Sequence, residues 1–252
     1  MTDLHTHILP GIDDGAKNIE IAMELLKREQ AQGVKQIVCT PHFKEDRTSV
    51  TDFLNHRLES KQLLEEAMRD QGITSTFKLG AEVYLTEGTP DLDLLPLRIE
   101  GTDYLLVEFP IRYSEKGLLE LLYAVQLQGV IPIIAHIERY PFAVEHVAFI
   151  IELIQMGCVI QVNASTLLRN DKSVEWVFAF IKYGLIHIVS SDAHSLGHRA
   201  PHMDAAVEVL MKKCGRNCYK KMEERANCIY QGEVVTIDEM CRPKQVFGKW
   251  WG

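Results

Sequence analysis

Along seven successive units this chain alternates a short apolar run with a stretch whose apolar residues recur at three-to-four spacing. No other feature of the sequence restricts the fold as much. The apolar runs are "TDLHTH", "KQIVCTPH", "TFKLGAEV", "TDYLLVEF", "VIPIIAH", "CVIQVN" and "LIHIVSSDAH". Most are continuously apolar, the pattern of strands covered on both faces of a parallel sheet. Between them, residues 18–32, 48–71, 115–128, 145–156, 171–183 and 202–214 read as amphipathic helices. The first, "IEIAMELLKREQAQG", ends on Gly33 as a helix C-cap should. The expected architecture is α/β, an irregular seven-stranded (β/α)7 TIM-like barrel with its functional face at the C-terminal ends of the strands. An open doubly wound sheet is the rival, and the lack of a G-x-G-x-x-G after the first strand weakens its Rossmann form. No linker, fixed repeat or low-complexity tract divides the chain, so residues 1–252 read as one domain.

Charge and cysteine usage narrow the function. A formal net charge of −8 with no basic stripe disfavours nucleic acid as a partner. No basic segment followed by an apolar one opens the chain, and no apolar run approaches membrane-spanning length, so a cytoplasmic protein without membrane insertion is expected. The six cysteines, Cys39, Cys158, Cys214, Cys218, Cys228 and Cys241, form no C-x-x-C pair and suit a reducing compartment. None is followed six positions later by arginine, so the phosphate loop of cysteine-based phosphatases is missing.

The ionisable residues then fall into a pattern. His5 and His7, His42, Glu82, Glu108, His136, and Asp192 with His194 each sit at or just past the end of an expected strand. Side chains at i and i+2 of a strand share a face, so the first strand can aim two imidazoles at one point. The "PGIDDG" turn that follows can bring Asp13 or Asp14 back toward them, and spacing does not choose between the two. A single histidine or carboxylate at a strand end is usually a cap or a solvated residue. Six of seven ends delivering one is a candidate metal site. The exception ends in Asn163, a poor ligand suited to orienting a neighbour. His56, His146, His187, His198 and His202 fall elsewhere and read as surface or core residues.

The motifs "DLHTHILPGIDDGA", "TPHF", "GAEVYL", "VEFP", "AHIERY" and "SSDAHSLGHR" resemble those of the PHP (polymerase and histidinol phosphatase) superfamily. "HILPGIDDG" and "HIERY" point to its branch of bacterial metal-dependent protein-tyrosine phosphatases, the CpsB/CapC/YwqE group of capsular and exopolysaccharide loci. The resemblance implies three metal ions. One would be held by His5, His7, Glu82 and Asp192; a second by Glu82, Glu108 and His136; a third by Asp14, His42 and His194. Other branches often carry histidine where Asp14 and Glu108 stand, and the added carboxylates favour manganese over zinc, with iron also compatible.

The same resemblance implies in-line attack by a metal-activated hydroxide on phosphotyrosine, with Asp14 and His42 in the catalytic constellation. Arg139 and Arg199 lie in the site loops and suit bidentate grip of phosphate oxygens. The implied substrate is a phosphotyrosyl protein, a bacterial tyrosine kinase that regulates polysaccharide synthesis. The alternative is a small-metabolite phosphatase of the histidinol-phosphatase type. Trp250 and Trp251 read as packing on the body of the protein, with a homo-oligomer contact or a docked partner as the other uses of such a pair.

Overall fold

Thr2–Thr6 forms the first strand, β1, and all five of its residues are buried. A computed structural model describes residues 1–71, 73, 75–111, 114–171 and 174–237, so Cys241, Trp250 and Trp251 lie outside the described residues. The further strands are β2 (Gln36–Cys39), β3 (His42–Phe43), β4 (Thr76–Leu79), β5 (Glu82–Tyr84), β6 (Tyr104–Glu108), β7 (Ile131–Ile134), β8 (Val159–Asn163) and β9 (Ile188–Ser190). The helices are α1 (Ile19–Ala31), α2 (Val50–Gln71), α3 (Glu115–Gln126), α4 (Phe142–Glu145), α5 (Val147–Gln155), α6 (Ala164–Leu167), α7 (Glu175–Lys182), α8 (Met203–Cys214) and α9 (Arg216–Gln231). Each helix expected from periodicity is present within its expected bounds. Every strand pairing is parallel, which the continuous apolar runs require.

The expected closed seven-stranded barrel is not formed. Two of the seven apolar runs each break into two strands, and the pairing divides into a three-stranded sheet, β1-β2-β4, and a six-stranded sheet, β3-β5-β6-β7-β8-β9. The breaks fall at Pro41 and Gly80. Proline has no N–H for the ladder. At Gly80 an added Cβ would stand 3.3 Å from both Thr40 Cγ2 and Val38 Cγ1, so a side chain here would crowd two methyl groups of the adjoining run. Single hydrogen bonds carry the chain across, from Gly80 N to Cys39 O (2.8 Å) and from Glu82 N to Pro41 O (3.0 Å). Between the last strand and the first there is one parallel bridge, Thr6 with Ala193, flanked by Asp192 N to His5 O and His7 N to Ala193 O, both 2.9 Å.

Two apolar clusters hold the sheets. The larger lies between the strands and the helices, α9 contributing Met222 to it. The smaller is enclosed by the strands, with Leu4, Val38, Leu106, Ile133, Val159 and Ile188 at its centre. Helix α9 completes this second cluster with Ala226, Ile229 and Tyr230. Its sequence mixes six charged residues among its apolar ones, and the sequence reading did not anticipate it. Hydrogen bonds from Lys78 Nζ to Tyr230 O (2.6 Å) and from Tyr104 Oη to Glu233 O (3.1 Å) fasten it beneath the strands, at the end opposite the strand C-termini.

Candidate metal centre

The C-terminal strand ends converge on one buried cluster. His5 and His7 project from β1 and its end with their Nε2 atoms 3.1 Å apart. Glu82 Oε2 lies 3.2 Å from each of those atoms and 2.9 Å from His42 Nδ1. Its other oxygen, Oε1, lies 2.8 Å from His136 Nε2. Glu82 is thus the carboxylate about which four imidazoles gather, and it starts β5 because that strand begins after the Gly80 break. Asp192 Oδ1 stands 3.4 Å from His5 Nε2, 3.5 Å from His7 Nε2 and 3.3 Å from His194 Nδ1. Glu108, at the end of β6, brings Oε1 to 3.8 Å from His136 Nε2.

The turn after β1 separates the roles of the two adjacent aspartates. Asp13 is turned inward: its Oδ2 accepts from His7 Nδ1 (2.7 Å) and from the His42 N–H (3.0 Å), and its Oδ1 from the Gly15 N–H (2.9 Å). It fixes which nitrogen of His7 faces the cluster, the work of a supporting carboxylate. Asp14 is exposed, and its Oδ1 stands 3.4 Å from His42 Nε2 and 3.5 Å from His194 Nε2. Gly15 makes the turn work. Ala16 N donates to His7 O (3.0 Å), and a Cβ on Gly15 would fall 2.1 Å from that same oxygen.

Three groups of potential ligand atoms each lie within 4.8 Å of one another: His5, His7 and Asp192; His42, Glu82 and Glu108; and His7, Asp14, His42 and His194. The grouping implied by the family resemblance differs in adding Glu82 to the first set, in having His136 where the second has His42, and in leaving His7 out of the third. The donor chemistry fits divalent cations. Glu108 Oε2 and His194 Nε2 are buried without a hydrogen-bond partner, and His42 Nδ1 and Glu82 Oε2 stand 2.9 Å apart without the geometry of one; nitrogen and carboxylate lone pairs placed so are what a cation ligates.

Electrostatics keep the carboxylates charged. Burial pushes Glu82 and Asp192 upward, but the neighbouring histidines outweigh it and hold both well below the usual carboxylate range. Burial pulls His7 down, while Asp13 and Glu82 raise it to about 10. His194 is lowered to about 2 by burial and by His7 beside it, which leaves its imidazole neutral.

The strand without a ligand carries the frame. Gln161 of β8 accepts at Oε1 from the His136 N–H (2.6 Å) and faces His5 Nδ1 at 3.3 Å. Its Nε2 donates to Asn163 Oδ1 (2.8 Å), and Asn163 Nδ2 donates to Asp192 Oδ2 (2.8 Å). Sequence reasoning assigned an orienting role to Asn163 and missed Gln161; the only available signal was a glutamine inside an apolar strand. Beneath the cluster, Asp3 accepts from His5 N and Ser191 N, tying β1 to the segment that carries Asp192. His136 and Asp192 both have positive φ, 34° and 54°, a conformation non-glycine residues hold only under constraint and one that concentrates at functional sites.

Arg139 and Arg199 reach the cluster from two loops. Both donate to the Asp192 carboxylate, Arg199 Nη2 at 3.2 Å from Oδ1, and Arg199 Nη1 also lies 3.5 Å from Asp14 Oδ2. Each remains part-exposed with donors to spare. Among the other histidines, His187 is buried, accepts from Ile160 N and is lowered to about 3 by burial, as a core residue should be. His146 pairs with Glu115, His198 is exposed and His202 is half-buried, none of them in the cluster. Cys39 is buried, and burial pushes its thiol up to about 12.

Fold and site together define a class: parallel α/β proteins with a histidine and carboxylate centre at the C-terminal ends of their strands. The chain belongs to the capsular polysaccharide synthesis CpsB/CapC family, whose sequence model matches residues 1–229. It is 36% identical to a CapC protein of Staphylococcus aureus, over 100% of this chain and 99% of that one. It is 30% identical to the tyrosine-protein phosphatase CpsB of Streptococcus agalactiae, over 94% of this chain and 98% of that one. Among solved structures it matches, with a TM-score of 0.81 and 27% identity over 94% of this chain and 96% of that one, a chain described with YwqE from Bacillus subtilis and CpsB from Streptococcus pneumoniae as unique metal-dependent tyrosine phosphatases. A D-hydantoinase shares the fold at a TM-score of 0.52 and 11% identity. No described helix is long and apolar enough to cross a membrane.

Proposed function

We propose that this chain is a metal-dependent tyrosine-protein phosphatase. The observation that carries the reading is the juxtaposition of buried, unpartnered nitrogen and carboxylate lone pairs with two arginines at their rim. His5, His7, Asp14, His42, Glu82, Glu108, His136, Asp192 and His194 would hold the metal ions, with Glu82 at the centre of the set. The donor set is rich in carboxylate, which supports manganese. When bound, divalent cations supply Lewis-acid charge and lower the pKa of water.

The chain's own residues do the rest. Arg139 and Arg199 grip the phosphoryl oxygens with planar paired donors and match the charge that develops on them. Asp192 holds both guanidinium groups over the cluster before substrate arrives, so little reorganisation is needed. Tyrosinate, with a phenol pKa of about 10, leaves without a strong general acid. The buried cysteine thiols are unsuited to nucleophilic attack, since only a thiolate attacks. The five described cysteines are free, which supports a cytoplasmic location, where a tyrosine kinase of polysaccharide synthesis is the phosphoprotein we assign as substrate. We read residues 1–252 as one catalytic domain.

The test is a phosphotyrosyl peptide assay on chelated protein, before and after manganese is restored, with thiols alkylated in a parallel sample. Activity should vanish on chelation, return with manganese and survive alkylation. Activity that persists without metal, or that alkylation abolishes while the metals stay bound, overturns the reading.

A further inference from the structure

A cavity of about 510 Å³ opens beside the cluster, within the range of roughly 300–1,000 Å³ typical of ligand sites. Three residues of its wall, Asp13, Asp14 and His42, are shared with the candidate metal centre, so anything seated at the cluster is continuous with it. The rest of the wall differs in character. Lys44, Arg47 and His56 line it from the β3–α2 connection and from α2, over an apolar patch made by Ile12 and Phe53.

The charges of this wall are segregated. Asp13 is occupied by His7 and His42, and Asp14 is turned to His42, His194 and Arg199. Lys44 Nζ lies 4.5 Å above the Tyr84 ring, and among the described residues no carboxylate pairs with Lys44 or Arg47. Lys44 and Arg47 flank Glu45 and Asp46 in the sequence, and neither of those carboxylates lines the cavity, Glu45 being turned to Thr86, so the two cations are what this part of the wall presents to it. In an extended peptide each residue advances about 3.3–3.6 Å, so side chains one or two positions from a phosphotyrosine held at the cluster reach this cavity.

We propose that the cavity is a subsite for an acidic side chain flanking the phosphotyrosine, with Lys44 and Arg47 as its specificity determinants. The proposal rests on the tyrosine-phosphatase reading above. Phosphoryl recognition stays with the cluster, Arg139 and Arg199. The basic wall selects which phosphotyrosine is presented, acting through encounter and KM because its charges sit at an exposed rim.

The experiment uses the manganese-supplemented full chain and three substrates: a phosphotyrosyl peptide flanked by Asp and Glu, the same peptide with Asn and Gln, and free phosphotyrosine. The wild-type protein should favour the acidic peptide by about fivefold in kcat/KM, the size that two exposed charge pairs supply. The difference should lie in KM and shrink as salt rises. The double variant Lys44→Ala/Arg47→Ala should lose the preference and keep the wild-type rate on free phosphotyrosine. Equal rates of the wild-type protein on both peptides, or a preference that persists in the double variant, overturn the subsite alone. Failure to hydrolyse any of the three overturns the phosphatase reading and the subsite with it.

Discussion

Glu82, Asp192 and Gln161 organise the centre at the level of single residues, and they do so differently. Glu82 and Asp192 face several imidazoles each. Gln161 faces no ligand site of its own but accepts from the His136 backbone and abuts His5, so one side chain sets the position of two ligands. Outer partners of this kind typically change metal affinity about 10- to 100-fold. Gln161→Leu should therefore weaken manganese binding by about that much with every ligand intact, and Gln161→Glu, which keeps the acceptor oxygen, should recover part of it. Metal titration checks this. Wild-type affinity in Gln161→Leu would mean that the histidines are placed by β1 and β7 alone.

Among the elements, the turn between β1 and α1 carries the most information per residue. Gly11 N donates to Ala16 O and Ala16 N to His7 O, which folds the turn back over the strand end and aims Asp13 at one histidine and Asp14 at two others. Gly15→Ala places a methyl group where the His7 carbonyl lies, so the turn must shift. We expect at least tenfold weaker manganese binding and a lowered melting temperature, measured on the same preparation; a variant with unchanged metal content would show that Asp13 does not hold His7.

How far the sequence was legible follows from such elements. The strand ends were readable because runs of apolar residues terminating in His, Glu or Asp leave few alternatives. The choice between Asp13 and Asp14 was not readable, since it depends on the close approach at Gly15, a tertiary contact. The break of two runs was foreshadowed by Pro41 and Gly80, but its consequence, two sheets in place of a closed ring, depends on hydrogen bonds between distant residues. Helix α9 escaped because its buried residues, Met222, Ala226, Ile229 and Tyr230, are interspersed with six charged ones.

Taken whole, the molecule separates chemistry from support along the strand axis. The cluster occupies the C-terminal strand ends, and α9 covers the enclosed core from the other side. Ile229 is fully buried there. Ile229→Ala should cost about 2–5 kcal/mol, lowering Tm by roughly 5–15 °C in a chain of this size. The KM for phosphotyrosyl peptide should not move. Thermal melts beside steady-state kinetics test the separation; a changed KM at unchanged Tm would refute it.

The bridge between Thr6 and Ala193 also bears on how the chain is made. His5 and His7 leave the ribosome well before the residues that complete their surroundings, Asp192, His194 and Arg199, which emerge nearly two hundred residues later. Contacts of such separation must await loop closure across most of the chain. A nascent chain therefore carries two imidazoles early that have no assembled centre to join. If these residues load metal as proposed, loading is expected late in biosynthesis, coupled to the docking of β9 and of α9 behind it.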